Sequence, residues 1–319
     1  MTVLDLEAHR ILIPIPSIHL VPNYITPEEE SYLTRKIDQV GNSNAIVKPD
    51  LSISVRAGGW QRVNGRRSMY WGGTMTPKGR LVPQSPPSFM TDEWPHVFRR
   101  LSELNIFASV TPSSSGEAAL ADHTAASEAD SLCPPNHCLV NEYNPGDGIL
   151  PHLDGLAYLP AVATISLESD TVYEFHCYSD RYRSFSARLQ EGGGDGCEGT
   201  CHHEAGDQEG GGPGWKRAGD EGSGRPIARE PLFTLFVPRR SLLVIAKECY
   251  SDLLHSIPAR PADLCSPHLE RCLNWSHFAQ GSSTSPQLSA DGALVRDRRI
   301  SLTCRRVHRV VKGLEGFLK

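Results

Sequence analysis

The chain has 319 residues, of which 39% are hydrophobic and 22% charged, and its formal net charge is −5. That length suits one large domain or two modest ones, with a sizeable core in either case. The acidic balance excludes a broad basic surface for non-specific duplex binding, and no stretch approaches the ~20 apolar residues of a membrane span.

In chain order, Ser17-Ile18-His19-Leu20-Val21-Pro22 reads as a strand and turn. Thr26-Pro27-Glu28-Glu29-Glu30 follows as an N-cap, a proline at the first helical position and acids in the first turn, with Tyr32, Leu33 and Ile37 as the apolar stripe. Trp60 to Gly73 reads as a strand, a glycine turn and a second strand closed by Gly72-Gly73. Prolines from residue 83 lead into an amphipathic helix carrying Val97, Phe98 and Leu101. Residues 111–132, rich in Ser, Ala, Glu and Asp, read as an insert, as does the Gly-rich segment at about 190–224, which has too few apolar residues to order itself. A further variable region spans roughly 260–295. Between these lie β-runs at 137–143, 161–167, 171–178, 232–237, 241–246 and 299–307, separated by turn signals as in a barrel or double-sheet jelly roll. Arg296, Arg298, Arg299, Arg305, Arg306, Arg309 and Lys312 make the last thirty residues basic, which leaves room for a local basic groove.

His152-Leu153-Asp154 is the first chemical signal. A histidine and a carboxylate two residues apart in an extended chain point the same way. With a second histidine they form the two-His-one-carboxylate face that holds ferrous iron; a capped surface loop is the bland alternative. On the preceding strand, Asn141 and Tyr143 share a face by the same alternation. In the last β-run, Arg299, Ser301, Thr303 and Arg305 fall on one face and Ile300, Leu302 and Cys304 on the other. Two arginines flanking a hydroxyl pair suit a carboxylate, whose geometry a guanidinium fork matches; a solvated basic face is the alternative. Two histidines compete for the third ligand position, His255 in Leu253-Leu254-His255-Ser256-Ile257 and His277 in Asn274-Trp275-Ser276-His277-Phe278. His255 is preferred because it directly follows the β-run 241–246.

The run Asn141-x-Tyr143-x-Pro145-Gly146-x-Gly148-Ile149-x-Pro151-His152-x-Asp154-Gly155, with the Arg299-x5-Arg305 strand carrying Leu302-Thr303, resembles the AlkB family of iron(II)- and 2-oxoglutarate-dependent dioxygenases. Asn136-His137-x-Leu139-Val140-Asn141, Thr164-Ile165-Ser166-Leu167, Pro238-Arg239-x-Ser241-Leu242-Leu243-Val244, Leu253-Leu254-His255-x-Ile257, Trp71-Gly72-Gly73 and Asn23-Tyr24-Ile25-x-x-Glu28-Glu29-Glu30 point to one branch within it. The resemblance covers most of the chain outside the inserts. It implies an α+β fold with a double-stranded β-helix (jelly-roll) core, flanking N-terminal helices and a nucleotide-recognition lid. The organisation would be N-terminal helices and lid over 1–110, the insert at 111–132, and a core over 133–319 interrupted at about 190–224, all one structural domain. It also implies that His152, Asp154 and His255 hold Fe(II). Arg299 would take the distal carboxylate of 2-oxoglutarate, with Asn141, Tyr143 and Arg305 completing that pocket, and O2 would be the second co-substrate. The reaction implied is hydroxylation of a C–H bond, which on an N-methyl group ends in demethylation, with alkylated DNA or RNA as the expected partner.

Substrate choice in the family belongs to the lid, here roughly residues 60–83, where Arg62, Arg66, Arg67, Tyr70 and Trp71 interleave basic and aromatic side chains. Such a set can grip a phosphate backbone and stack on an extruded base; equally, its aromatics can pack under the barrel. Two other functions fit the same residues: oxidation of a protein side chain, or a catalytically silent binding module of this fold. Cys197-x3-Cys201-His202-His203 resembles a zinc cluster but sits in the Gly-rich insert, where a chance grouping is the better reading. The 9 cysteines lack regular spacing, and the start from Met1 to Glu7 has acids and no apolar run. A reducing compartment, nucleus or cytoplasm, is therefore expected, with no membrane association and a monomeric chain.

Overall fold

The computed structural model describes residues 4–15, 17–42, 59–108, 133–191, 224–279 and 286–311. The insert at 111–132 and the cysteine–histidine cluster at 197–203 lie outside these residues. The strands begin with β1 (Ile18–Val21), β2 (Gln61–Val63), β3 (Arg66–Trp71), β4 (Gly73–Met75) and β5 (Leu81–Pro83). There follow β6 (His137–Tyr143), β7 (Ile149–His152), β8 (Ala161–Leu167), β9 (Thr171–His176) and β10 (Phe233–Val237). The last are β11 (Leu242–Ala246), β12 (Leu254–Ile257), β13 (Ala262–Leu264), β14 (Ala293–Val295) and β15 (Arg299–Arg305). The helices are α1 (Pro27–Asn42), α2 (Ser88–Thr91), α3 (Val97–Glu103), α4 (Ser179–Glu191), α5 (Lys247–Ser251) and α6 (Trp275–Ala279). Among the described residues, no helix is long and apolar enough to cross a membrane.

Two antiparallel sheets dominate. The larger runs β1-β11-β8-β15-β6-β3-β2 and the smaller β10-β9-β12-β7. Side-chain alternation gives the larger sheet two different faces. On its outer face Met69, Trp71, Val140, Ile165, Leu242, Ile300 and Leu302 pack with Leu33 and Ile37 of α1 and with Phe98 and Leu101 of α3. On its inner face Ile18, Leu20, Val162, Leu243 and Ile245 meet Val172, Phe175, Leu235 and Ile257 of the smaller sheet. Both faces of β15 are therefore covered, and all seven of its residues are buried. The solvated basic face that β15 could have presented is excluded.

The six β-runs read from the sequence all form strands, within a residue or two at their ends. The start of α1 is fixed by a reciprocal cap: the Glu29 amide donates to Thr26 Oγ1 at 3.2 Å, and the Thr26 amide donates to the Glu29 carboxylate at 3.0 Å. The helix α4 extends up to the Gly-rich segment, and the region 260–295 contains β13, β14 and α6. Several arginines of the basic C-terminal run are taken up by carboxylates. Arg296 is buried on Asp263, and Arg298 pairs with Asp38, Glu142 and Glu168.

Candidate metal centre

The paired strands β7 and β12 set His152 directly across from His255, with ring centroids 4.4 Å apart. The chain leaves β7 and returns Asp154 to the same spot, so that one ligand atom from each of the three residues lies within 4.8 Å of the others. Among the described residues, this is the one group of histidine, cysteine or carboxylate side chains close enough to share an ion. His277 is exposed on α6 and has no part in it.

The protonation states suit a metal. Burial, and then His255, push the His152 imidazole down to about 3 against the opposing pull of Asp154. His255 is lowered as well, chiefly by burial. Both rings therefore keep a free lone pair at neutral pH. His152 Nδ1 lies 2.9 Å from the Leu150 carbonyl oxygen, which suits an Nδ1–H donor and leaves Nε2 for an ion. For Asp154 burial acts upward, but Arg305 together with the two histidines outweighs it, and the carboxyl lies below its usual range. Arg305 holds Asp154 Oδ1, while the buried Oδ2 has no partner among the described residues. Two neutral imidazoles and a carboxylate with an orphaned oxygen are the donor set of a facial-triad metal site.

Facing this group, the larger sheet presents the other residues singled out by the sequence. Register places Tyr143 opposite Arg299, Asn141 opposite Ser301 and His137 opposite Arg305. Arg299 is buried; its Nη2 donates to Ser166 Oγ at 2.8 Å and Tyr173 Oη at 3.3 Å, leaving Nε and Nη1 unpaired. The guanidinium also lies 5.6 Å from the ring centroids of Tyr143 and Tyr173. Burial, then Tyr173, push the Tyr143 phenol up to about 12, so it stays protonated as a donor. Asn141 Oδ1 accepts from Ser68 Oγ at 2.7 Å and from Arg66 Nε at 3.1 Å. Arg305 stands against the triad carboxylate, 4.8 Å from the Tyr158 ring centroid.

The residues read as a lid divide. Trp71 is core: its buried ring meets Phe89 edge-on under the larger sheet, because its position on β3 faces the helices. It has no surface on which a base could stack. Arg67 is committed to Glu142. Tyr70, one residue out of phase with Trp71, is 50% exposed, and Arg66 is half-buried. The turn between β2 and β3 lies close to the one before β7, since a Cβ on Gly65 (φ +69°) would meet the Gly148 carbonyl oxygen at 2.8 Å. Sequence reasoning missed Ser166, Tyr173, Tyr158 and His137 as site residues. Alternation along 161–167 could have flagged Ser166, whereas the tyrosines come from segments whose approach depends on how the chain folds back.

The fold and the triad together define the class: an antiparallel two-sheet protein with a non-haem, two-His-one-carboxylate metal centre. No family model matches the sequence. Over 313 residues the chain is 27% identical to "Probable RNA/DNA demethylase ALKBH6" of Danio rerio, covering 98% of this chain and 94% of that protein. The chain is thus similar to that AlkB homologue along almost its whole length. Two solved structures also align. That of OsALKBH1 has a TM-score of 0.41 and 13% identity, covering 91% of this chain and 98% of that one. An oxidoreductase of the 2OG-Fe(II) oxygenase family from Burkholderia pseudomallei has a TM-score of 0.37 and 10% identity, covering 92% and 85%.

Proposed function

We propose that the chain is an iron(II)- and 2-oxoglutarate-dependent dioxygenase that oxidatively demethylates alkylated nucleic acid, built on a double-stranded β-helix. One observation carries the reading: Tyr173, whose ring stacks on the triad's His255 at 6.3 Å, also holds a buried arginine, Arg299, that has two guanidinium nitrogens unpaired among the described residues. A buried cation with unmet donors calls for an anion. The incorporation of β1, β2 and β3 into the larger sheet supports treating the N-terminal residues and the core as one domain.

His152, Asp154 and His255 would hold the iron. Arg299 binds the distal carboxylate of 2-oxoglutarate, its guanidinium held by Ser166 and Tyr173, with Asn141 and Tyr143 beside it. Arg305 keeps Asp154 ionised and aimed. When bound, iron supplies the redox chemistry that couples decarboxylation of 2-oxoglutarate, giving succinate and CO2, to insertion of one oxygen atom from O2 into a substrate C–H bond. An N-methyl group so oxidised becomes N-hydroxymethyl and leaves as formaldehyde. The nucleic-acid substrate is carried over from the activity named for the Danio rerio relative. Half-exposed Tyr70 supports it by offering an aromatic face beside the site.

Purified protein supplied with Fe(II), ascorbate and 2-oxoglutarate is expected to release succinate, and His152→Ala or Asp154→Ala is expected to abolish it. An anaerobic titration that detects no metal binding by the parent protein overturns the reading.

A further inference from the structure

His137 opens β6 on the same face as Asn141 and Tyr143, with Arg305 directly opposite. It is 0% exposed, yet among the described residues neither ring nitrogen has a hydrogen-bond partner. The other two fully described buried histidines differ. His19 Nε2 meets Glu7 at 3.2 Å and His176 Nε2 meets Ser256 at 3.2 Å. Most of the orphaned polar atoms around the metal centre have a use in the dioxygenase reading. Asp154 Oδ2 belongs with the metal ligands, and Arg299 Nε and Nη1 belong with the anion. His137 remains, with Arg305 Nε beside it; it stands opposite Arg305 at the far end of β6 from Tyr143 and Arg299, and neither the metal ligands nor the anion site uses it.

Its surroundings describe what would satisfy it. The rings of Tyr70 and Tyr158 each lie 5.7 Å from the imidazole, tilted by 34° and 37°. Tyr70 is half-exposed, so one of the two rings beside the buried imidazole reaches solvent. Tyr158 lies under Arg305, which in turn holds the triad carboxylate, so His137 is one guanidinium removed from the metal ligands. Burial, and secondarily Arg305, hold the imidazole pKa down at about 4, so the ring is neutral and carries one N–H donor and one lone pair. Flat aromatic rings on either side of a neutral donor and acceptor fit a heteroaromatic ring with a polar edge.

We propose that His137 is a specificity residue that hydrogen-bonds the polar edge of the nucleobase to be demethylated, with the Tyr70 ring covering that base. The inference rests on the dioxygenase reading above and assigns it a recognition contact. A site built to hydrogen-bond its substrate discriminates strongly when one side of that bond is lost.

The test uses full-length protein loaded with Mn(II) and 2-oxoglutarate. The probes are fluorescein-labelled single-stranded oligonucleotides carrying one N-methylated adenine, cytosine, guanine or thymine. For the base that the parent binds best, His137→Phe is expected to weaken binding by about tenfold in anisotropy, and with Fe(II) to raise KM more than it lowers kcat. His137→Asn, which restores a donor and an acceptor, is expected to recover part of the affinity. The melting temperature of His137→Phe should equal or exceed that of the parent, because an apolar ring removes two unmet polar atoms from a buried position. Unchanged probe affinity in His137→Phe overturns the inference, as does a lowered melting temperature with affinity lost equally in His137→Asn, which marks a structural residue. Succinate release by the parent tests the underlying reading separately: if it is absent, that reading fails and the inference with it.

Discussion

Arg299 shows what a single buried position can demand. Its guanidinium is enclosed, Nη2 is spent on Ser166 and Tyr173, and Nε and Nη1 have no partner among the described residues. Hydrogen bonds to a charged group contribute about 1.5–3 kcal/mol. Arg299→Ala should therefore weaken 2-oxoglutarate binding by about 10- to 100-fold while leaving metal affinity nearly unchanged. Calorimetric titration of each ligand separates the two, and equal loss of both would make Arg299 a structural residue. The identity of the inward residues was legible beforehand, because alternation along 299–305 and 137–143 is a local property of extended chain. Their burial was not, because it depends on a second sheet lying over them.

At the scale of elements, the larger sheet is fastened to α1 through ions on its outer side. Glu142 on β6 accepts from Arg67 on β3 and from Arg298, just before β15, and Arg298 also reaches Asp38 on α1. Burial acts to raise the Glu142 carboxyl, but hydrogen bonds from Arg67 and Arg298 outweigh it and hold the group below its ordinary value of 4.5. A depressed carboxylate contributes stability above the unfolded-state value and loses it as the pH falls through the folded one. The network should therefore be at full strength near pH 7 and weaken below about pH 4.5. Glu142→Gln should cost about 2 kcal/mol at pH 7, and the gap to the parent should narrow toward pH 3, measured by urea unfolding at each pH. The helix α1 was legible from Thr26, Pro27 and its acids, since caps are local. The pairing of the basic C-terminal run with distant carboxylates was not. Charge alone cannot distinguish an arginine that meets phosphate from one that meets a glutamate brought over by folding.

For the molecule as a whole, the site depends on the layer between the two sheets. Phe175 on β9 is fully buried, stacks on Phe233 at 4.7 Å and sits opposite His255 in the strand register. Phe175→Ala should cost about 3–5 kcal/mol, and Mn(II) binding should weaken with it, because the strand carrying His255 loses its support. Thermal unfolding and a Mn(II) titration check the two effects together. Unaltered metal binding in a destabilised protein would mean that β7 and β12 hold the ligands without the core. The sequence by itself determined β1, β2, β3, β6, β8, β9, β10, β11 and β15, the faces of β6 and β15, the capped start of α1 and the His152–Asp154 pair. All of these follow from backbone periodicity and short-range hydrogen bonding. Tertiary structure decided that His255 rather than His277 completes the triad, that Trp71 is core while Tyr70 is not, and that His137 is buried without a partner. Those outcomes turn on which strands pair and which faces close on each other, and long-range pairing sets the distances between side chains that no local pattern encodes.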